Sequence, residues 1–106
     1  MTWIPYLIER MDNTYEDRMT PLGLSLKPSE YWRRQGYATY QYDRYVGPLV
    51  DFIGEDNIIW GSDYPHADGT WPDSLEWIEA HLGKVPVRKK RKIIRDNVAR
   101  LYGLMR

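Results

Sequence analysis

The sequence is constrained most by a short apolar run that ends abruptly in a turn, within residues 58–66. The run Ile-Ile-Trp at 58–60 has the length and β-branched content of a buried strand. Pro65 has no N–H to donate, so central sheet pairing cannot continue through it. Asp63 and His66 should therefore lie just past the carboxyl end of a strand, where parallel α/β folds collect their ligand and catalytic groups. They are the two groups in this stretch that could bind a metal ion or move a proton.

A second strand is predicted at 37–41, where Tyr-Ala-Thr-Tyr-Gln is rich in β-forming residues. Between it and the strand predicted at 57–61, apolar residues recur at helical spacing over 46–53, and Gly54 is placed to end that helix. A strand–helix–strand unit of this kind indicates parallel pairing and an α/β fold. Further helical segments are predicted at 3–17, 28–34, 74–82 and 86–94, with 97–102 as a last helix or a bent extension. The whole would be two short parallel strands with about five helices.

Length and composition limit the classes of protein to which the chain can belong. Its 106 residues suffice for one small domain with a modest core. The formal net charge is zero, which gives no reason to expect nucleic acid or an anionic membrane as a partner. The chain has no cysteine, and no apolar stretch approaches the roughly 20 residues of a membrane-spanning helix. Because the N-terminus also lacks a signal-peptide pattern, we expect a cytoplasmic protein without nucleic-acid or membrane partners.

Several charged or polar side chains have an ordinary structural interpretation. His81 is expected on the surface of the helix over 74–82, and the five basic residues at 88–92 are expected to form a solvated helix face. Asp73 and Glu76 have the spacing of a capping box, with Asp in the place of Ser or Thr. The pair Arg-Arg at 33–34 is expected to be solvated or salt-bridged, although it could reach an anionic substrate.

Three motifs together resemble the C-terminal end of amidohydrolase-related (Amidohydro_2) proteins. They are Ile-Ile-Trp-Gly-Ser-Asp-Tyr-Pro-His at 58–66, Asp-Gly-Thr-Trp-Pro at 68–72, and Lys-Ile-Ile-Arg-Asp-Asn-Val-Ala-Arg-Leu-Tyr-Gly-Leu at 92–104. That family includes aminocarboxymuconate-semialdehyde decarboxylase and related metal-dependent hydrolases and decarboxylases, and its members are TIM barrels. The resemblance implies that residues 1–106 are a single C-terminal fragment of a partial TIM (β/α)8 barrel, comprising its last two βα units only.

The resemblance also implies a site. Asp63 takes the position of the family's aspartate at the end of the eighth strand, which is a metal ligand and an active-site group. The expected cofactor of the complete fold is a divalent metal, with Zn²⁺ as the first choice, and the expected substrate is a small molecule. His66 is a candidate for substrate binding, and contact with Asp68 or with the backbone is the alternative for it.

The histidine ligands of the family have no counterpart in this sequence. The chain has two histidines in total, and neither lies in the family's His-x-His motif. Since a catalytic Zn²⁺ site needs about three protein ligands, we expect a chain that is not catalytically complete and binds no metal tightly. It would associate with the missing N-terminal portion of the barrel, or with itself through open strand edges. The alternative is a stand-alone α/β interaction module without enzymatic activity.

Overall fold

The computed structural model describes residues 1–105, and its centre is a sheet of two parallel strands. Strand β1 (Ala38–Tyr40) pairs with strand β2 (Ile58–Trp60), with Ala38 opposite Ile58. Each strand is one residue shorter at both ends than the sequence predicts. The backbone of Asn57 and Gly61 nevertheless still bonds to β1, with N···O distances of 2.9 and 3.0 Å. The predicted parallel pairing is confirmed.

Helices surround this sheet in five segments of the described chain. They are α1 (Ile4–Thr14), α2 (Pro28–Gln35), α3 (Val46–Ile53), α4 (Ser74–Leu82), and a last segment in which a π-helical turn (Lys92–Asp96) joins α5 (Val87–Arg91) to α6 (Asn97–Leu101). A π-helical turn (Tyr15–Met19) and a 3-10 turn (Thr20–Leu22) extend α1. The helices predicted at 86–94 and 97–102 thus form one continuous run, and Pro86 precedes it as the N-cap. Within residues 1–105, none of the helices has the length and apolar character needed to cross a membrane.

The core lies between one face of the sheet and the helices that pack against it. Its buried apolar residues are Ile4, Tyr40, Val46, Val50, Ile53, Ile58, Ile78, Leu82, Val85 and Ile93. Side chains alternate between the faces of a strand, so Tyr40 points into this core whereas Thr39 points to the opposite face and is exposed. The packed face of the sheet is therefore the one covered by α3 and the C-terminal helices.

Two buried asparagines anchor β2 to the helices on either side. The side-chain amide of Asn57 donates to the carbonyls of Trp32, Arg33 and Gly36 at the end of α2, at 2.9, 3.2 and 2.8 Å. The amide of Asn97 donates to the carbonyls of Glu55 and Ile58, both at 2.8 Å. The two amides thereby join β2 to the end of α2 on one side and to α6 on the other. These bonds fix where β2 starts and therefore where the loop after it emerges.

His81 is buried, and the prediction of a surface histidine is wrong. Only 6 % of it is exposed, and its ring lies 5.3 Å from that of Tyr42 and 5.7 Å from that of Trp77. A Cβ at Gly47 would collide with the His81 carbonyl, so the glycine lets α3 approach α4 closely. Burial lowers the pKa of His81. The helical position alone could not show which face α3 would cover.

The predicted capping box at the start of α4 does not form. Asp73 occupies the N-cap position, but its side chain makes no capping hydrogen bond. Its backbone, with φ −89° and ψ 25°, lies outside the extended region that N-cap residues usually adopt. The side chain of Ser74, the first helical residue, instead contacts the hydroxyl of Thr70 at 3.1 Å.

The five basic residues at 88–92 form ion pairs instead of a free solvated face. Arg88 and Lys92 both contact the carboxylate of Glu55, at 2.5 and 2.7 Å. The other three, Lys89, Lys90 and Arg91, lie beside Asp51, Glu79 and Asp96 respectively. Hydrogen bonds from Arg88 and then Lys92 lower the pKa of Glu55 to about 2. The cluster is therefore balanced by acidic groups of α3, α4, the loop before β2 and the π-helical turn after α5.

The two consecutive arginines of α2 also have partners that the sequence did not show. The guanidinium of Arg33 donates to the carbonyls of Asp51 and Phe52 at the end of α3, at 3.1 and 2.8 Å. That of Arg34 lies 4.9 Å from the centre of the Tyr31 ring. Arg33 therefore satisfies helix-terminal carbonyls, which is a structural role.

Candidate functional site

The loop that follows β2, residues 61–72, is closed on itself and tied to the neighbouring strand. The Thr70 N–H donates to the Ser62 carbonyl at 2.9 Å and so closes the base of the loop. The side-chain amide of Gln41, just past β1, donates to the Asp68 carbonyl at 2.9 Å. We call this segment the β2 loop. It stands at the carboxyl end of the sheet, as the sequence predicts.

Asp63 lies in the β2 loop with a left-handed backbone, at φ +60°. This conformation is uncommon outside glycine, and aspartate is one of the residues that tolerate it. The turn brings the His66 N–H within 2.9 Å of the Asp63 carbonyl. The Asp63 side chain is 41 % exposed. A carboxylate with that exposure is accessible to a ligand that approaches the end of the sheet.

His66 contacts Asp63 with its side chain as well. Its Nδ1 lies 3.0 Å from Asp63 Oδ1, and the ring is 70 % exposed. The hydrogen bond to the Asp63 carboxylate, followed by the negative charge of that group, raises the pKa of His66; Asp68 contributes less. The side chain of His66 therefore contacts the Asp63 carboxylate. Both residues were expected in one loop from the sequence, but the contact between them was not predicted.

An aromatic pair in the same loop was not singled out from the sequence. The rings of Tyr64 and Trp71 meet edge to face, with centroids 5.8 Å apart. About two thirds of each residue is exposed. The available signal was their place in the sequence, since Tyr64 lies between Asp63 and His66 and Trp71 follows five residues after His66. The pair forms an apolar surface in the loop that carries Asp63.

The residues described here do not assemble a complete metal site. Within residues 1–105, no three His, Asp or Glu side chains come together as ligands for one ion. Asp63 and His66 supply one carboxylate and one imidazole, and the imidazole Nδ1 lies 3.0 Å from the carboxylate. A catalytic Zn²⁺ ion needs about three protein ligands. The donor set of this chain therefore does not suffice for such an ion, and Asp63 can be at most one of its ligands.

A separate cavity lies between α3 and α4. It measures about 560 Å³, and residues such as Gly47, Val50, His81 and Val85 line it. It includes neither Asp63 nor His66. The candidate site therefore does not coincide with this cavity and is defined by the strand end and by the polar groups gathered there.

A comparison with protein families identifies the chain. The sequence model of the amidohydrolase family (Amidohydro_2) matches residues 1–104. The chain belongs to this family. The match covers the β2 loop and the C-terminal helices, so the resemblance inferred from their motifs is confirmed. No curated protein sequence matches this amidohydrolase chain.

Solved structures agree with the amidohydrolase assignment. The 5-carboxyvanillate decarboxylase LigW from Sphingomonas paucimobilis is similar with a TM-score of 0.74 and 27 % identity, over 95 % of this chain and 31 % of its own. An amidohydrolase from Mycobacterium avium subsp. paratuberculosis K-10 is similar with a TM-score of 0.78 and 28 % identity, over 95 % of this chain and 25 % of its own. The chain therefore spans less than a third of the length of either structure.

Proposed function

We propose that this chain is the C-terminal portion of a metal-dependent amidohydrolase-related hydrolase or decarboxylase, with Asp63 as an active-site carboxylate. The observation that carries the proposal is the place of Asp63, exposed just past the carboxyl end of β2 in a chain of this family. A carboxylate there can serve as an oxygen ligand for Zn²⁺ or as a general base. By itself the chain is expected to be incomplete as a catalyst.

The fold we propose for the complete protein is a TIM barrel, of which residues 1–106 form the last two βα units. A complete barrel has eight strands and typically about 250 residues, whereas the described residues form two strands. Thr39 is exposed in the middle of β1, although strand residues that face the interior of a barrel are packed in layers. The small share of each solved structure that the chain covers is consistent with this.

The cofactor we propose for the complete barrel is a divalent metal, with Zn²⁺ as the first choice. Asp63 would supply one of its ligands, and residues outside this chain would supply the others. The proposed substrate is a small molecule, in keeping with the 5-carboxyvanillate decarboxylase named among the similar structures. We propose no nucleic-acid partner, because the basic run is paired with acidic groups.

A change of Asp63→Asn in the longer protein that contains this segment tests the proposed role. It removes the negative charge and the candidate base, so turnover should fall to background. The fold should survive, because the side chain is exposed and asparagine also tolerates a left-handed backbone. Asp68→Asn, in the same loop, is the matched control and should keep activity. Normal turnover in Asp63→Asn would remove Asp63 from the mechanism.

Calorimetric titration of the 106-residue chain with Zn²⁺ tests whether the chain binds the metal without ligands from outside it. We expect no sub-micromolar binding, because affinity comes from several convergent ligands. A tight, stoichiometric site that disappears in Asp63→Asn would show that the chain holds its metal unaided. The rival function, a stand-alone interaction module, is favoured only if no longer protein contains this segment together with a His-x-His strand.

A further inference from the structure

The contact between His66 and Asp63 indicates a role for the histidine. This inference rests on the function proposed above. Two contacts connect the residues: a hydrogen bond from the His66 N–H to the Asp63 carbonyl at 2.9 Å, and an ion-pair contact of 3.0 Å between Nδ1 and Oδ1. The His66 carbonyl in turn accepts from the Gly69 N–H at 3.0 Å. The backbone of His66 is therefore held on both sides, although its ring is exposed.

We propose that His66 is a positioning residue for Asp63. Its Nδ1–H donates to Oδ1 and holds the carboxylate in one rotamer, which leaves Oδ2 free for the ion or proton that the site handles. Carboxylates that bind metals are commonly fixed by a further hydrogen bond of this kind, and its loss typically lowers metal affinity or activity 10–100-fold. In this role, His66 acts through Asp63 and not by contact with the substrate.

The local structure explains why Asp63 needs such a partner. Its side chain is short and exposed, and the left-handed backbone lifts it out of the packed sheet. Core packing therefore does not fix its χ1 angle. The imidazole of His66 is the side chain in contact with the carboxylate, and its backbone is hydrogen-bonded at both its N–H and its carbonyl.

Two conservative variants distinguish positioning from substrate binding. The amide nitrogen of asparagine falls near the place of imidazole Nδ1, whereas that of glutamine falls near the place of Nε2. His66→Asn should therefore keep the donor to Asp63, and His66→Gln should lose it. If His66 instead binds substrate with its outward Nε2, His66→Gln should be the more active of the two variants and His66→Asn the less active.

The test is made first on the 106-residue chain by NMR. Three-bond couplings to the Asp63 side chain report its χ1 populations, and Asp68 serves as the internal control. We expect one dominant Asp63 rotamer in the wild type and in His66→Asn, and rotamer averaging in His66→Gln. Averaging in the wild type, or the same single rotamer in all three proteins, would overturn the proposal.

Kinetics of the longer protein provide the second readout. We expect His66→Gln to lower kcat roughly tenfold or more with little change in KM, and His66→Asn to stay near the wild type. A raised KM in His66→Asn with normal His66→Gln would assign substrate binding and overturn positioning. Because the NMR measurement needs no turnover, an inactive longer protein with the expected couplings would count against the proposed function and not against the contact.

Discussion

Asp63 is the one non-glycine residue between 1 and 105 whose backbone has a positive φ. Such a conformation costs an L-residue roughly 1–2 kcal/mol, and residues held in it gather at functional sites because the surrounding structure must enforce them. Here the enforcement is visible, since the Asp63 carbonyl accepts from the His66 N–H. The carboxylate is thereby presented at the end of the sheet and not folded back against β2.

The raised pKa of His66 gives a residue-scale prediction. Because the folded-state pKa lies above the unfolded value of about 6.5, the contact contributes stability that is fully present below that value. The contribution is lost as the pH rises through the folded-state pKa. We expect Asp63→Asn to return the pKa of His66 toward 6.5, which an NMR titration of the imidazole Cε1–H measures.

The neighbouring carboxylate supplies the control for that titration. Asp68 contributes less to the raised pKa of His66, so Asp68→Asn should shift the titration by a smaller amount than Asp63→Asn. Equal shifts in the two variants would mean that general loop charge, and not the contact at 3.0 Å, raises the pKa.

The sequence allowed the position of Asp63 to be predicted but not the partner of His66. An apolar run followed by a glycine and a proline specifies a strand end, and this signal is local. The contact between residues 63 and 66 depends on the sign of one φ angle, which aspartate adopts only under the constraint of the whole loop. A histidine three residues from an aspartate is compatible with many other turns.

At the scale of the element, the β2 loop depends on Gly69. A Cβ at this position would lie 2.7 Å from the Ser62 carbonyl oxygen and 3.0 Å from that of His66. Both neighbours are backbone atoms and cannot move aside as a flexible side chain would. We expect Gly69→Ala to lower the free energy of unfolding by about 1–3 kcal/mol, measured by urea denaturation.

The adjacent residue gives a matched control for the loop. Asp68 takes part in the loop through its carbonyl, which accepts from Gln41, and its side chain is exposed. Asp68→Ala should therefore change stability much less than Gly69→Ala. If Gly69→Ala were as stable as the wild type, the close approach of Ser62 to Gly69 would be wrong.

Element boundaries were predictable where a glycine marks them by its own conformation. Gly54 follows α3 with φ +112°, and Gly103 follows α6 with φ +65°, so glycine is favoured there on steric grounds. The capping role of Asp73 and the exposure of His81 were predicted wrongly, because both depend on tertiary structure. The first needed the backbone angles of one residue, and the second needed the packing of α3 on α4.

At the scale of the whole molecule, the ion pairs around Glu55 connect the loop before β2 to α5 and the turn that follows it. A folded-state pKa of about 2 means that this carboxylate stabilises the fold above its unfolded pKa of about 4.5, and that the effect is lost as the pH falls toward 2. Since Arg88 is largely exposed, solvent screens its pair. We expect Glu55→Gln to cost roughly 1 kcal/mol at neutral pH.

The pH dependence of the difference in unfolding free energy between the wild type and Glu55→Gln shows whether the ion pairs cause it. Unfolding free energies of the wild type and of Glu55→Gln should converge as the pH falls below about 4.5. Glu9→Gln, at an exposed position of α1, is the control and should run parallel to the wild type. A difference for Glu55→Gln that does not depend on pH would exclude the ion pairs as its source.

The exposed apolar surface predicts how the isolated chain behaves in solution. Phe52, Leu75 and Val87 are 67, 81 and 80 % exposed, and large exposed apolar side chains together with open strand edges promote association. We expect light scattering to show self-association that grows with concentration. Added salt should not weaken it, as it would weaken association through charges. A folded monomer at high concentration would contradict this.

The three hydrogen bonds that the Asn57 side chain donates should make the end of α2 and β2 unfold together. One side chain at the start of β2 holds the carbonyls of Trp32, Arg33 and Gly36 at the end of α2. The last turn of α2 therefore cannot fray while β2 is in place. Amide hydrogens in the two segments should exchange with solvent in a single cooperative opening, so that residues 28–60 behave as one folding unit.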